Sequence, residues 1–295
     1  MTMAPVRPLL PSLLLLSLGG ACAHHAEPSA DTAEALQERP AAIRLYTLDC
    51  GRIDVHDMGF FADGSHPNGQ RGTMSVPCFL IQHPQGVLLW DTGLDDAISK
   101  SPDGVADPVG PRFFVRSTLQ AQLARLDLAT SDIRYVGLSH LHADHSGNAN
   151  AFFASTWLVQ RKELEWATAT PTPLGVDPAK FSAWRQAKVE LLDGDRDVFG
   201  DGTVRILSTP GHTPGHQSLQ VTLAKAGTLV LSGDLCHLRE NWEHDGVPGF
   251  NTSRQETLSS MSRVRGLVKD THGRFVIQHV PEDVASLPAF PAYLE

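Results

Sequence analysis

The chain has 295 residues, 41% hydrophobic and 19% charged, with 24 Lys and Arg against 33 Asp and Glu for a formal net charge of −9. Such a composition supports a buried core and excludes a disordered chain. The acidic balance excludes nucleic acid as a partner, because phosphate binding needs clustered basic side chains and the longest cluster is the pair Arg161 and Lys162.

In chain order, Arg7 precedes a leucine-rich run over 9–18, broken by Pro11 and followed by small residues up to Ala23. A membrane span needs about 20 apolar residues, so no transmembrane segment is expected, and 1–23 reads as an export signal. Ala21-Cys22-Ala23 fits a cleavage site that would release a periplasmic or secreted protein. Residues 18–22 also resemble a lipoprotein box that would anchor the chain through Cys22. Residues 24–42 lack apolar periodicity and read as a flexible linker, leaving one domain over 43–295.

Short β-type runs then recur at 43–48, 76–82, 87–90, 133–138, 157–160, 189–192, 204–207, 218–221, 228–231 and 275–278. Helical patterning covers 117–126, 179–188 and 254–268, and more weakly 162–167. Strands dominate early and helices are interleaved later, which predicts α/β or α+β layering with more than one sheet. The stretches 63–72 and 101–112 read as long loops, either binding walls or plain surface insertions. Past the export segment, Cys50, Cys78 and Cys236 cannot all pair internally. A Cys50–Cys78 disulfide and two buried free thiols both fit the sequence.

The 14 histidines are bunched, not spread. Ser139-His140-Leu141-His142-Ala143-Asp144-His145 follows the apolar run 133–138. Imidazole and carboxylate donors so compressed at a strand end suit zinc or another borderline divalent ion. Thr209-Pro210-Gly211-His212-Thr213-Pro214-Gly215-His216 lies between two strand runs, Ser232-Gly233-Asp234 ends a third and His279 a fourth. Strand ends that share one rim are the usual rigid base for a site.

His-x-His-x-Asp-His, then Gly-His, Gly-Asp and a late His resemble the metallo-β-lactamase superfamily of binuclear hydrolases, over roughly residues 43–285. Residues 209–219 and Trp90-Asp91-Thr92-Gly93 are similar to the N-acyl homoserine lactone lactonases in particular. The resemblance implies an α/β fold, an αββα sandwich of two mixed β-sheets flanked by helices. It implies two divalent ions, zinc foremost: one held by His140, His142 and His216, the other by Asp144, His145 and His279, with Asp234 bridging. His212 is then expected to be a supporting residue and Asp91 a hydrogen-bond partner within the first histidine cluster. Where these lactonases carry a Tyr three residues after the bridging Asp, this chain has His237, either a replacement donor to the substrate carbonyl or a surface histidine.

The implied reaction opens the ring of a small acylated lactone, quorum quenching by attack of a hydroxide shared between the ions, with Asp144 passing the proton to the leaving ring oxygen. No Gly-x-Ser-x-Gly elbow offers a serine route. Met58, Phe60, Phe61, Phe113 and Phe114 are expected to line an acyl groove, with core packing as their alternative. A β-lactamase or a glyoxalase II type thioester hydrolase is the runner-up, although 280–295 lacks the basic tail of the latter. A non-catalytic zinc-binding protein would need no bridging Asp. A homodimer is compatible with this reading.

Overall fold

A computed structural model describes residues 42–63, 69–107 and 110–295. The export signal, Cys22 and nearly all of the linker lie outside the described residues. No helix among the described residues is long and apolar enough to cross a membrane.

The strands, in chain order, are β1 Arg44–Val55, β2 Gly72–His83, β3 Gly86–Trp90, β4 Val105–Ala106, β5 Arg112–Phe114, β6 Tyr135–Gly137, β7 Thr156–Gln160, β8 Lys188–Leu192, β9 Arg196–Asp197, β10 Val204–Ser208, β11 Gln217–Leu223, β12 Gly227–Leu231, β13 Arg274–Val276 and β14 Tyr293–Leu294. They form two mixed sheets, one ordered β4-β5-β1-β2-β3-β6-β7-β8 with β14 on β1, the other β13-β12-β11-β10-β9. In the first sheet, β1, β2 and β3 pair antiparallel and β3, β6, β7 and β8 parallel. In the second only β12 and β13 are parallel.

Side-chain alternation divides the core into layers. Phe79, Ile81, Leu88 and Trp90 of the first sheet meet Leu219, Val221, Leu229 and Leu231 of the second. The opposite faces, through Leu80, Leu89 and Val136, pack on Leu119, Leu123, Phe152 and Phe181. On the far side of the second sheet, Leu207 and Val230 pack on Met261 and Val264 of the long helix Arg254–Asp270. Two sheets face each other and helices cover both outer faces, as the resemblance implied.

Two elements differ from expectation. β1 runs to Val55 because a register shift between Asp49 and Arg52 bends it without ending it. At that bend Gly51 has φ +137°, and a Cβ there would stand 2.6 Å from Leu94 Cδ1. The helix expected over 179–188 is only a 3-10 turn, Ser182–Arg185. Asp177 caps the Ala179 amide in a local turn, and Lys188 is already paired with Thr156 in the parallel ladder.

Cys50 and Cys78 form a disulfide, with Cα atoms 5.7 Å apart. Cys236 is a buried free thiol whose pKa burial pushes up, so it stays protonated.

Candidate metal centre

The loops after β3, β6, β10, β12 and β13 carry Asp91, His140 to His145, His212, Asp234 and His279. Three overlapping sets of donors result, each within 4.8 Å: His140, His142, His212 and Asp234 in one, Asp144, His145 and His279 in another, and Asp234, His237 and His279 in a third that spans the first two. In the first set His140 Nε2 is 2.9 Å from His142 Nδ1 and 3.2 Å from His212 Nε2. In the second His145 Nε2 is 3.4 Å from His279 Nε2, and both stand 3.6–3.7 Å from Asp144 Oδ2. Asp234 lies between these two. Its Oδ1 is 3.1 Å from His145 and 3.0 Å from His279, while its Oδ2 is 3.3 Å from His212 and 3.6 Å from His140.

The outer ring nitrogens decide which way the lone pairs point. His279 Nδ1–H donates to Ser75 O at 2.8 Å, a carbonyl that can only accept. His145 Nδ1–H donates to Asp91 at 2.9 Å, and His212 Nδ1 meets Asn251 Oδ1 at 2.9 Å. The inner nitrogens of these rings therefore present lone pairs to one another. Asp234 Oδ1 adds a buried carboxylate oxygen facing the inner nitrogens of His145 and His279. Converging lone pairs and a buried carboxylate repel unless a cation sits among them, so the donor set fits divalent ions with mixed nitrogen and oxygen ligands.

The electrostatics divide the first two sets. Burial holds His142 at about 4 and pushes His140 and His212 well below the ordinary histidine value, which keeps these rings neutral. For His145 and His279 burial acts the same way, but the Asp234 and Asp144 carboxylates outweigh it and raise both. Burial opposes charge on Asp234 as well, yet His279, His145, His237 and His140 together hold it well below the usual carboxylate range.

His216, expected as a ligand, is placed elsewhere. Its Nδ1–H donates to Thr209 O at 2.9 Å and its Nε2 accepts from the Asp234 amide at 2.8 Å, so neither nitrogen is left for a cation. A Cβ on Gly233 would stand 2.6 Å from that Nε2. His212, at the tip of the same loop, takes the place assigned to His216. The tandem Thr-Pro-Gly-His units look alike in the sequence, and only the loop geometry separates them.

His237 is buried, not a surface residue. Its Nε2 is 3.0 Å from Asp234 Oδ2, its ring stacks on His279 at 5.5 Å, and its Nδ1 has no partner. Asp91 holds φ +58°, unusual for a residue with a side chain, and besides His145 it accepts from the Ser139 amide at 2.7 Å.

A cavity of about 790 Å³ opens over these sets and is lined mainly by apolar side chains. Phe60, Phe61 and Phe113 line it as expected. Met58 does not: it turns into the core, where a Cβ on Gly72 would come within 2.5 Å of its Cγ, and Met74 reaches the cavity instead. Phe114 does not either. As the strand neighbour of Phe113 it points to the opposite face, under the Arg52 guanidinium at 4.2 Å. Phe250, Trp166 and Leu174 also line the cavity, and nothing in the local sequence pattern marked them. Phe250 stacks on Phe60 at 4.8 Å. Their loops are joined by Asp63, which accepts from Arg254 Nε at 2.8 Å and the Val247 amide at 3.0 Å, and by Asn241 Nδ2, which donates to Phe61 O at 2.7 Å.

Comparison with known proteins agrees with this geometry. The chain is 33% identical over 264 residues to the N-acyl homoserine lactonase AttM of Azorhizobium caulinodans, spanning 86% of this chain and 99% of that one. It is 30% identical to an N-acyl homoserine lactonase of a Bacillus species, over 85% of this chain and 98% of the relative. Among solved structures, an N-acyl homoserine lactone hydrolase with the product N-hexanoyl-L-homoserine bound at its catalytic metal center superposes with a TM-score of 0.74, at 28% identity, over 86% of this chain and 99% of that one. The Metallo-beta-lactamase superfamily matches residues 71–279, a span that takes in every donor described above, and the chain belongs to that superfamily.

Proposed function

We infer that the chain is an N-acyl homoserine lactonase, a metal-dependent hydrolase that opens the lactone ring. The observation that carries this is the coincidence of near full-length similarity to lactonases with a bridged double donor set at the floor of an apolar cavity. His140, His142 and His212 would hold one divalent ion and Asp144, His145 and His279 a second, zinc foremost, with one Asp234 oxygen toward each. Divalent ions held there would supply Lewis acidity, which lowers the pKa of water from about 15.7 to about 7 and polarises an ester carbonyl.

The chain's own groups do the rest. Asp144 is the most accessible carboxylate of the site, with 20% of its side chain exposed, and it lines the cavity, so the carboxylate oxygen not turned to the donor set can take the proton of the attacking water and return it to the ring oxygen as the C–O bond breaks. His237 lines the cavity beside Asp234, and once that carboxylate is turned to the ions its Nε2–H would be free to donate to the carbonyl oxygen as it gains negative charge, the part a phenol hydroxyl would otherwise play. Phe60, Phe61, Phe113 and Phe250 exclude water and bind the acyl chain.

The export segment and the Cys50–Cys78 disulfide both support an oxidising, extracytoplasmic location. The test is a pH-indicator assay of the metal-loaded protein with a homoserine lactone, a penicillin and a thioester side by side. Turnover of the lactone is expected; turnover of the penicillin or thioester alone would overturn the reading.

A further inference from the structure

Glu163, the third residue of the helix Arg161–Ala167, is fully buried and has no part in the chemistry above. Its carboxylate faces two loops at once. Oε1 accepts from the Leu141 amide at 2.8 Å, and Leu141 stands between His140 and His142. Oε2 accepts from the Thr213 hydroxyl at 2.6 Å and the Gly215 amide at 3.1 Å, and Thr213 adjoins His212. The loop sits directly on the start of the helix, since a Cβ on Gly215 would come within 2.3 Å of the Glu163 amide nitrogen.

Asp91 has the matching arrangement on the other side. Its Oδ1 accepts from the Ser139 amide, while its Oδ2 meets His145 Nδ1 at 2.9 Å and Gln278 Nε2 at 3.1 Å, beside His279. Each carboxylate thus ties the β6 loop to one other ligand-bearing loop, Glu163 to that of His212 and Asp91 to that of His279. The ties share the β6 loop, where Ser139 Oγ lies 3.0 Å from His140 Nδ1 and 3.2 Å from His145 Nδ1, but they lead to different second loops.

We propose that Glu163 is a positioning residue chiefly for one metal position: it fixes the separation of His140 and His142 from His212, while the position of Asp144, His145 and His279 is set mainly through Asp91. The inference rests on the two-ion reading above. It identifies a buried acid, remote from substrate, as the determinant of stepwise metal affinity.

The experiment measures zinc equivalents and stepwise affinities by chelator competition, with visible spectra of the cobalt-loaded protein, for the parent, Glu163→Ala, Glu163→Gln, Thr213→Val and Asp91→Asn. Loss of a partner behind metal ligands typically costs about 10- to 100-fold in affinity. Glu163→Ala and Glu163→Gln should each keep one tight equivalent and weaken the other by about that factor. Asp91→Asn should weaken the opposite equivalent and change a different part of the cobalt spectrum. Thr213→Val removes one hydrogen bond without opening a cavity and should give a smaller shift at the same position as the Glu163 variants, which keeps the test decisive if those fold poorly.

Glutamine fills the same space but cannot accept from both loops. Full recovery of two tight equivalents in Glu163→Gln would therefore reduce Glu163 to packing and overturn the proposal, as would equal weakening of both positions. A parent that holds a single equivalent would overturn the two-ion reading itself, and this inference with it, whatever the variants do.

Discussion

The floor of the cavity stands on strand ends, and its ligand rings are braced from behind: His145 by Asp91, His279 by the Ser75 carbonyl, His212 by Asn251. The aromatic wall stands on short segments: Phe60 and Phe61 on the 3-10 turn Met58–Phe61, Phe113 on the three-residue β5 and Phe250 in a loop. Phe60 and Phe250 stack on each other, yet Phe60 remains 59% exposed, and the loops beneath are joined through the partly exposed Asp63–Arg254 pair. Donor positions on the floor must be held to fractions of an ångström for metal chemistry, whereas a hydrocarbon chain asks only for area and exclusion of water. Precision is therefore needed at the floor and area at the wall, and substitutions can test that division.

The largest effects belong to the floor. Asp144→Ala removes a metal ligand together with the proton carrier and should lower kcat by at least the 10²- to 10⁴-fold that is roughly the share of a general acid–base group, read by steady-state kinetics on a homoserine lactone beside a count of bound metal. His237→Phe should lower kcat by about 10²- to 10³-fold, as loss of an oxyanion donor does, and His237→Tyr should restore most of it because a hydroxyl replaces the N–H.

His212 and His216 sharpen the comparison within a single loop. His212→Ala should lose bound metal, whereas His216→Ala should retain it and instead lose about 1–3 kcal/mol of stability by leaving buried partners unsatisfied, measured by denaturant unfolding. Metal loss in the His216 variant would contradict the placement of its two nitrogens.

The wall should respond more weakly. Phe250→Ala should raise KM for long-chain lactones with little change in kcat, since it removes contacts shared by ground and transition states. Smallest of all is the loop clamp, because surface ion pairs are worth about 0–1 kcal/mol. Burial acts to raise the Asp63 carboxyl, but the Arg254 and Val247 hydrogen bonds prevail and lower it. A carboxylate depressed in the folded state contributes stability that is present above its unfolded pKa and lost as pH falls through the folded one. Asp63→Asn should therefore lower stability at neutral pH by about 0–1 kcal/mol and leave it unchanged at acid pH, where the parent carboxyl is already protonated, so that the acid limb measured by denaturant unfolding against pH becomes flatter.

Legibility followed the range of the interactions. The His-x-His-x-Asp-His turn, Asp234 and His279 could be read because each follows an apolar strand run directly, and Asp91 because it ends another. The layered sandwich was legible for the same reason, since alternation and apolar runs encode which faces are buried. The boundaries of β1 and the helix expected over 179–188 were not, because a register shift in one case and a parallel ladder in the other override local propensity.

Residue type and spacing alone determined the metal chemistry of this protein, because imidazoles and carboxylates gathered at strand ends have few other uses. Only the tertiary structure could choose His212 over His216, turn Met58 and Phe114 away from the cavity, bring Phe250 into it and place Glu163 behind two loops. Each of those outcomes depends on the direction of a side chain relative to residues distant in the chain. That direction is fixed by which partners the fold leaves within hydrogen-bond reach, and by where a Cβ has room to stand.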